Sequence, residues 1–347
     1  MSRLSLNFLG DISFGEMFEN INHGVLSKVE KGYDPFYFVK EALKKADLNI
    51  GNMECVLSDL SSHNDVWSKV MRCPESYIKL LKDNNIHVLN LANNHTKDHG
   101  KEAFIRMKEL LLKNGINVIG DSYNKLQDKP LFISVKEKSI ALSGYYIEET
   151  ASVSEYKDAI ESIKKSLSIS NHSADITILS LHWGHEYTRQ PRQWQIDLLL
   201  ELKKTYRIDI LYGHHTHTLQ GVCNYDNTIF APSLGNFIFD ARFKKNRISA
   251  MLNVSYDIEN SQFFYNQLPV YINENFQPVP AEYYKSYINT SNEQLYKLIT
   301  GKDNTYNDQV NKKESAKGHQ LNRIKIRILV LLRLRNYMNF IIQKGLK

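Results

Sequence analysis

Seven short apolar runs, separated by longer segments with helical periodicity, constrain the fold of this chain more than any other feature of its sequence. Strand–helix alternation of this kind predicts a largely parallel sheet flanked by helices, and therefore an α/β fold. The runs that are typical of buried strands lie at 4–10, 47–52, 86–92, 116–120, 139–145, 175–181 and 209–213. The segments with helical patterns between them lie at 35–45, 74–84, 101–114, 154–170 and 191–206.

The pattern changes after about residue 225, where hairpin-like segments follow one another to about residue 272. We predict from this change a second, more antiparallel region packed on the first. From about residue 285 the chain is polar and rich in Asn and Lys. The sequence therefore predicts one domain over 1–285, followed by a polar linker and a basic, helical C-terminal tail over 286–347.

Polar side chains that can bind metal ions follow five of the apolar runs. Because ligands of open α/β sheets bind at the carboxyl ends of the strands, these side chains are expected to meet. Carboxylate, amide and imidazole groups together suit borderline divalent metals such as Mn²⁺, Fe²⁺ or Zn²⁺. The residues are Asp11 after the first run, Glu54 after the second, Asn94 and His95 after the third, His182 after the sixth, and His215 and His217 after the seventh.

The motifs that contain these residues resemble those of the CapA family of poly-γ-glutamate or capsule biosynthesis proteins, which is related to calcineurin-like metallophosphoesterases. The resemblance covers roughly residues 4–245 and implies a metallophosphoesterase-like α/β sandwich, with mixed sheets flanked by helices. The motifs are GD (10–11), NxE (52–54), ANNHxxDxG (92–100), HWGxEY (182–187), GHHxHxxQ (213–220) and SLGNFIFD (233–240).

The resemblance also implies a role for each residue. Two divalent ions are expected, with Glu54 as the carboxylate between them. Asp11 would be a ligand from the end of the first strand. Asn94, His182 and His215 would complete the ligand shell of one ion, and His217 would belong to the other. His95 would be a general acid or a hydrogen-bond donor to the transition state, oriented by Asp98.

The chain differs from ordinary phosphoesterases at two of these positions. Ser13 stands where those enzymes have the His of an Asp-x-His motif, and Glu54 replaces their usual Asp. One metal shell is therefore expected to be thinner. Either that ion binds weakly, or His214 or His185 completes its shell.

Other polar residues near these motifs also fit simpler structural roles. His215 and His217 share a face if the chain there is extended, whereas His214 would point the other way and be structural. Glu186 and Tyr187 are equally consistent with supporting the centre and with no role in it, and Asn236 with a role and with a tight turn. Lys69 and Arg72 fit a solvated loop better than an anion clamp, and Cys55 fits a small core residue better than a thiolate ligand.

Charge is concentrated at one end of the chain. Residues 312–347 contain ten Lys or Arg and one Glu, a balance of +9 in a chain whose total is +6, so the remainder carries −3. A mildly acidic body disfavours nucleic-acid binding, and the basic tail is expected to contact a membrane surface or a protein complex. With no signal-like segment and three widely spaced cysteines, the expected location is the cytoplasm or the inner face of the membrane.

Two functional hypotheses follow from these observations. The first is a metal-dependent hydrolase that acts on an anionic polymer or on its phosphorylated small-molecule precursor, with amide hydrolysis as a variant of the same chemistry. The second is a non-catalytic binding or scaffold component of a membrane-associated polymer synthesis complex.

Overall fold

The computed structural model describes residues 3–64, 66–124, 129–148, 153–241 and 243–302, together with the single positions 316 and 320. The strands are β1 (Arg3–Ile12), β2 (Leu48–Met53), β3 (Val56–Leu57), β4 (Arg72–Cys73), β5 (Val88–Asn90), β6 (Asn117–Ile119), β7 (Leu131–Val135), β8 (Lys138–Tyr146), β9 (Ile176–His182), β10 (Ile210–His214), β11 (Cys223–Tyr225), β12 (Thr228–Ala231), β13 (Asn236–Ile238), β14 (Ile248–Asp257), β15 (Gln262–Ile272) and β16 (Pro278–Pro280). The helices are α1 (Val25–Glu30), α2 (Lys40–Lys44), α3 (Ile78–Asp83), α4 (Gly100–Lys113), α5 (Val153–Ser173), α6 (Gln193–Lys203) and α7 (Lys285–Ile299).

The first sheet has the strand order β16-β15-β14-β1-β2-β5-β6, and β13 also pairs with β1. The strands β1, β2, β5 and β6 are mutually parallel, whereas β14, β15 and β16 continue the sheet in antiparallel register. The antiparallel character predicted after residue 225 is therefore present. The separate region predicted there is not, because β14 forms hydrogen bonds directly with β1 and becomes part of the same sheet.

The second sheet has the order β11-β12-β10-β9-β8-β7. Its four central strands, β12, β10, β9 and β8, are parallel, and an antiparallel strand closes each edge. All seven strands predicted from the apolar runs are present. Both sheets are mixed, as expected for the predicted sandwich.

The two sheets pack face to face and the helices cover their outer surfaces. Between the sheets, the rings of Phe8 in β1 and Tyr212 in β10 lie 4.8 Å apart, within a core of aliphatic residues from both sheets. A second core includes Leu9, Leu43 and Phe104, from the first sheet and the helices outside it, and a third includes Leu181, Leu199 and Leu298, from the second sheet and its helices. The fold is thus a four-layered α/β sandwich, which confirms the predicted class.

Two predicted segments differ in detail from the structure. The helix predicted over 35–45 is short, since only Lys40–Lys44 is α-helical and turns precede it. Residues 285–299, which the sequence pattern assigned to a polar linker, form α7, whose widely spaced apolar residues Ile288, Leu295 and Ile299 are buried. The predicted tail helix lies outside the described residues. No helix among the described residues has the length and apolarity needed to span a membrane.

The carboxyl ends of the parallel strands of both sheets meet at one edge of the sandwich. Glycines at two of these ends allow a very close approach of the backbone. A Cβ on Gly10 would lie 2.1 Å from the carbonyl oxygen of Gly235, and one on Gly213 would lie 2.0 Å from that of Pro232. The ends of β1 and β10 are therefore both packed closely against the 232–235 segment.

Candidate metal centre

The residues predicted to bind metal come together at this edge from both sheets. Asp11 is at the end of β1, and Glu54 and Asn94 follow β2 and β5 of the first sheet. His182 ends β9 of the second sheet, and His215 and His217 follow β10. Apart from Asn94, which is half-buried, these side chains are buried. Residues that are up to 206 positions apart in the sequence thus share one buried site.

The donor atoms form two groups that share one carboxylate. Asp11, Glu54 and His217 make up the Asp11 group, and Glu54, His182 and His215 make up the His182 group. Within each group the donor atoms lie within 4.8 Å of one another. Glu54 Oε1 is 3.6 Å from His217 Nε2 and 3.8 Å from His182 Nε2, so this oxygen lies between the two groups.

Asn94 belongs with the His182 group. Its Oδ1 is 2.8 Å from His182 Nε2. Two ligand atoms bound at about 2.1 Å to one ion, at a right angle, are separated by roughly 3 Å, so this spacing suits a shared ion. The His182 group therefore offers four protein donors, and the Asp11 group three.

Several buried polar atoms in the site have no hydrogen-bond partner among the described residues. They include Asp11 Oδ2, Glu54 Oε1 and His215 Nδ1. An unpaired buried polar atom is costly, typically by about 1–3 kcal/mol. Because these unpaired atoms belong to both groups and include the oxygen that the groups share, the arrangement suits bound cations.

The opposite atoms of the same side chains are held by neighbouring polar residues. Asp11 Oδ1 accepts a hydrogen bond from Asn52 Nδ2 at 3.0 Å and pairs with His214 Nδ1 at 2.9 Å. Asn52 also donates to Glu54 Oε2 at 3.2 Å. His217 Nδ1 lies 2.9 Å from Asn236 Oδ1, which leaves Nε2 directed at Glu54. Such partners fix the orientation of metal ligands.

The pKa values of the two buried carboxyl groups are shifted in opposite directions. Burial alone would raise the pKa of Asp11, but hydrogen bonds and charge interactions with His214 and His217 outweigh burial and hold this pKa well below its usual value. Burial, reinforced by the charge of Asp11, holds the pKa of Glu54 well above its usual value. The charged form is therefore favoured at Asp11 and disfavoured at Glu54, because two adjacent buried charges repel.

The imidazoles also differ from one another. Burial, with the neighbouring His215, lowers the pKa of His182 well below its usual value, and burial lowers the pKa of His215 to about 4. Burial acts in the same direction on His217, but its contact with Asp11 raises the pKa overall. His182 and His215 are therefore neutral at physiological pH, which is the protonation state that binds metals.

The donor set as a whole fits divalent metal ions. It combines carboxylate oxygens, an amide oxygen and imidazole nitrogens, which suit Mn²⁺, Fe²⁺ or Zn²⁺. The residues that would hold the ions are Asp11, Glu54, Asn94, His182, His215 and His217.

His95 and Asp98 lie beside the two groups rather than within them. His95 Nδ1 is 2.7 Å from Asp98 Oδ2, in the arrangement that the sequence predicts. A cavity of about 220 Å³ opens over the centre, and its walls include His95, Asn94 and His217. The other walls are formed by the 17–19 segment, by Glu186 and Tyr187, and by Phe239 and Phe243.

The backbone that carries His215 and His217 is not extended. Both residues have left-handed φ values, +88° and +54°. The extended conformation in which they would share a face is therefore not adopted, because β10 ends at His214 and the chain turns sharply there. Left-handed backbone is unfavourable for residues other than glycine and is found at functional sites. It sends the two imidazoles into different groups.

His214 has a more direct role than a residue that points away from the centre. It remains in β10, and its Nδ1 pairs with Asp11 rather than with a distant structural partner. The Ser13 hydroxyl does not face the centre, because its contacts are the carbonyl oxygen of Gly15 at 3.5 Å and the sulfur of Met71 at 3.8 Å. The Asp11 group is thus thinner than the His182 group, as the sequence predicts.

Three further residues that the sequence singled out lie outside the centre. Arg72 donates to the backbone carbonyls of Ser68 and Ser58, and Lys69 lines a separate small cavity. The Cys55 sulfur is buried and lies 4.0 Å from that of Cys73.

The sequence patterns indicated no role for several residues that contact the ligands or the side chains bonded to them. Asn52 bonds both carboxyl groups, and Asn93 donates to Asn52 Oδ1 at 3.2 Å. The Tyr146 ring lies 5.5 Å from the His182 ring, and that of Phe239 lies 4.7 Å from the His217 ring. Asn52 could have been found from its spacing, because it is two residues from Glu54 at the end of a strand. The aromatic contacts have no such local signal.

The fold and these residues define a two-sheet α/β protein with a buried candidate metal centre whose two ligand groups share a carboxylate. Residues 5–241 match the sequence profile of the family described as bacterial capsule synthesis protein PGA_cap. The match spans more than half of the chain, and the chain belongs to this family, as the CapA-like motifs predict.

Two curated relatives are similar over most of this chain. One is a PGA biosynthesis protein CapA of Bacillus subtilis (strain 168), 30% identical over 72% of this chain and 67% of the relative. The other is a capsule biosynthesis protein CapA of Bacillus anthracis, 27% identical over 78% of this chain and 68% of the relative. Among solved structures, a phosphatase from Mycoplasma pneumoniae matches 82% of this chain and 97% of its own, with 12% identity and a TM-score of 0.49.

Proposed function

We propose that this protein is a metal-dependent hydrolase that cleaves a phosphoester bond during synthesis of a capsule or a related anionic polymer. The observation that carries the proposal is that Glu54 Oε1 lies between two donor groups, 3.6 Å from His217 and 3.8 Å from His182. A shared carboxylate suits two neighbouring cations, which can grip a phosphoryl group between them. The names of the CapA relatives support the cellular process.

The residues around the cavity then have distinct tasks. Two divalent ions held by these ligands would supply Lewis-acid charge and an activated water. Asn52 and His214 keep the outer oxygens of the carboxyl groups occupied, which orients the inner oxygens. Asp98 accepts a hydrogen bond from His95 Nδ1, and in the doubly protonated ring the Nε2 proton would pass to the leaving oxygen.

The test is an assay of the purified protein with Mn²⁺ or Zn²⁺ on generic phosphomonoesters and phosphodiesters. We expect His217→Ala to lose both activity and bound metal, and His95→Ala to lose activity alone. His172→Ala, an exposed change on α5, is the matched control and should retain both. Activity that survives both site substitutions would refute the proposal.

A second candidate function is a non-catalytic scaffold in a polymer synthesis complex. It is favoured by one observation, the orientation of Ser13 towards Met71, which leaves the Asp11 group with three protein donors. Elemental analysis distinguishes the two functions. About two transition-metal ions retained per chain would support the enzyme, and none after metal loading would support the scaffold.

The basic segment 312–347 is proposed to hold the protein at the inner face of the membrane or on a protein complex there. The support is its charge of +9, which anionic lipid attracts. Cell fractionation of a variant that lacks 312–347 tests this role. A variant that remains in the membrane fraction as fully as the intact chain would refute it.

A further inference from the structure

The two ligand groups are unequal in a way that the cavity wall can correct. The His182 group gains Asn94 as its fourth donor, whereas the Asp11 group has three, because Ser13 faces Met71 and Gly15. Two divalent ions also carry four positive charges, and the ligands of both groups include two carboxylates, Asp11 and Glu54. A third carboxylate near the Asp11 group would correct both the ligand number and the charge.

Glu186 is a carboxylate at the edge of the centre, outside the two groups whose donor atoms lie within 4.8 Å of one another. It follows β9, which ends in His182, and it lines the 220 Å³ cavity together with His217 and Asn94. Its side chain is half-buried, so it lies at the edge of the centre rather than in the solvent.

The loop that carries Glu186 is fixed to the loop that carries His217. The Tyr187 backbone N–H donates to the carbonyl oxygen of Thr216 at 2.8 Å, and the Tyr187 and His217 rings are 6.1 Å apart. Tyr187 also has a left-handed φ of +66°, an unfavourable conformation for a bulky residue. The backbone is therefore held in a specific path immediately after Glu186.

We propose that Glu186 is the fourth protein donor to the ion held by Asp11, Glu54 and His217. The carboxylate replaces, from the end of β9, the ligand that Ser13 does not provide from the end of β1. This inference rests on the metal centre in the proposed function. It adds a ligand from the HWGxEY segment and a reason for the strained path of that loop.

The experiment measures metal binding rather than activity. Metal-free wild-type protein, Glu186→Gln and Glu186→Asp are titrated with Mn²⁺ by calorimetry, and bound manganese is counted by mass spectrometry after dialysis. We expect two Mn²⁺ per wild-type chain. In Glu186→Gln, one site should keep its affinity and the other should weaken by about 10–100-fold, as for loss of a neighbouring metal-site group.

The aspartate variant and a second carboxylate separate ligation from general charge. Glu186→Asp keeps the negative charge but has a shorter side chain. If Glu186 is a metal ligand, this variant should bind Mn²⁺ more weakly at the site that Glu186→Gln weakens. Glu19→Gln removes another carboxylate that lines the same cavity and should leave both sites unchanged. Asp11→Asn should weaken the same site as Glu186→Gln, and the double variant should lose less than the sum of the two effects.

The four outcomes are distinct. If Glu186→Gln binds two Mn²⁺ with wild-type affinity, the inference is wrong and the proposed function is untouched. An equal loss of Mn²⁺ affinity in Glu19→Gln would show that any negative charge in the cavity has this effect. That result would also overturn the inference. Wild-type protein that binds no Mn²⁺, Zn²⁺ or Fe²⁺ would overturn both the inference and the proposed function. Selective weakening of one site in Glu186→Gln, with circular dichroism showing a folded variant, supports the inference.

Discussion

At the scale of single residues, the contact between His95 and Asp98 follows from their separation of three positions in the sequence. The turn after β5 brings their side chains to 2.7 Å, and no distant part of the chain is needed for this contact. Asp11 and His214 form an equally close pair at 2.9 Å, although 203 positions separate them. The His95–Asp98 contact can be predicted from the sequence. The Asp11–His214 contact forms only when the two sheets pack with their strand ends aligned.

Asp98→Asn is expected to reduce kcat by about 10–100-fold, since the amide holds the His95 tautomer less firmly. His95→Ala should reduce kcat more, by about 100–10,000-fold, because the proton donor itself is lost. Steady-state kinetics and metal content measure both effects. Neither variant should lose metal, and a metal loss equal to that of His217→Ala would contradict the role of this pair in proton transfer.

Asp240 gives a prediction about pH and stability. Burial raises its pKa to about 7, although the backbone N–H groups of Met17 and Val25 donate to its carboxyl group and lower the pKa. The folded state therefore holds a proton that the unfolded state releases near the ordinary aspartate pKa of 3.8. The contribution of Asp240 to the free energy of unfolding is therefore fully present at low pH and is lost as the pH rises towards about 7.

Asp240→Asn removes this titration, and urea unfolding of the metal-free proteins between pH 5 and 8 tests it. The unfolding free energy of the wild type, relative to the variant, should fall by up to about 1.4 kcal/mol per pH unit and level off above the folded-state pKa. The variant also loses one backbone hydrogen bond, which shifts the curve without changing its slope. A difference that is independent of pH would show that Asp240 does not titrate in this range.

At the scale of elements, the candidate metal centre depends on the ends of the strands more than on their interiors. β9 and β10 run in parallel register, with His182 opposite His214, and this register sets the spacing of the imidazoles. Gly213 allows the register, because a Cβ there would lie 2.0 Å from the Pro232 carbonyl oxygen and 2.5 Å from Trp183 Nε1. The backbone then turns at His215, and the centre is formed where the strand stops.

Gly213→Ala is therefore expected to cost about 3 kcal/mol of unfolding free energy, the upper end of the usual range for overpacking, because its clash is with backbone that cannot move aside easily. Gly115→Ala is the matched control. Its φ is +79° and nothing lies within 4 Å of the added Cβ, so it should cost only backbone strain, about 1–2 kcal/mol. Urea denaturation compares the two, and equal costs would contradict the close approach of the backbone at Gly213.

At the scale of the whole molecule, the centre joins the two sheets. Asp11, Glu54 and Asn94 come from the first sheet, and His182, His215 and His217 come from the second. A cation held by ligands from both sheets binds the folded chain only, so it stabilises the entire sandwich. Each site adds about 2.7 kcal/mol when the free metal is 100 times its Kd.

Metal addition should accordingly raise the Tm by several degrees, with an increase that continues as the metal concentration rises. Differential scanning calorimetry with Mn²⁺ measures the shift. His172→Ala should show the same shift as the wild type, and Glu54→Gln, which alters the shared ligand, should show little. A full shift in Glu54→Gln would mean that the stabilising metal binds elsewhere.

The sequence by itself determined seven of the strands and helices between them, the residues at the ends of those strands and the membership of the family. These features are local, because apolar periodicity marks each strand and the polar residue after it marks where the strand leaves the core. The ligand types followed from the same local patterns. The expectation that Ser13 leaves one group thinner came instead from the resemblance to phosphoesterases.

Only the tertiary structure decided which donors face each other. The pairing of β14 with β1, the packing of α7, the turn at His215 and the contacts of Asn52 and His214 depend on parts of the chain that are far apart in sequence. No local pattern encodes such contacts, because they form when two sheets pack and their strand ends align. The assignment of donors to two groups that share Glu54 is a property of that packing.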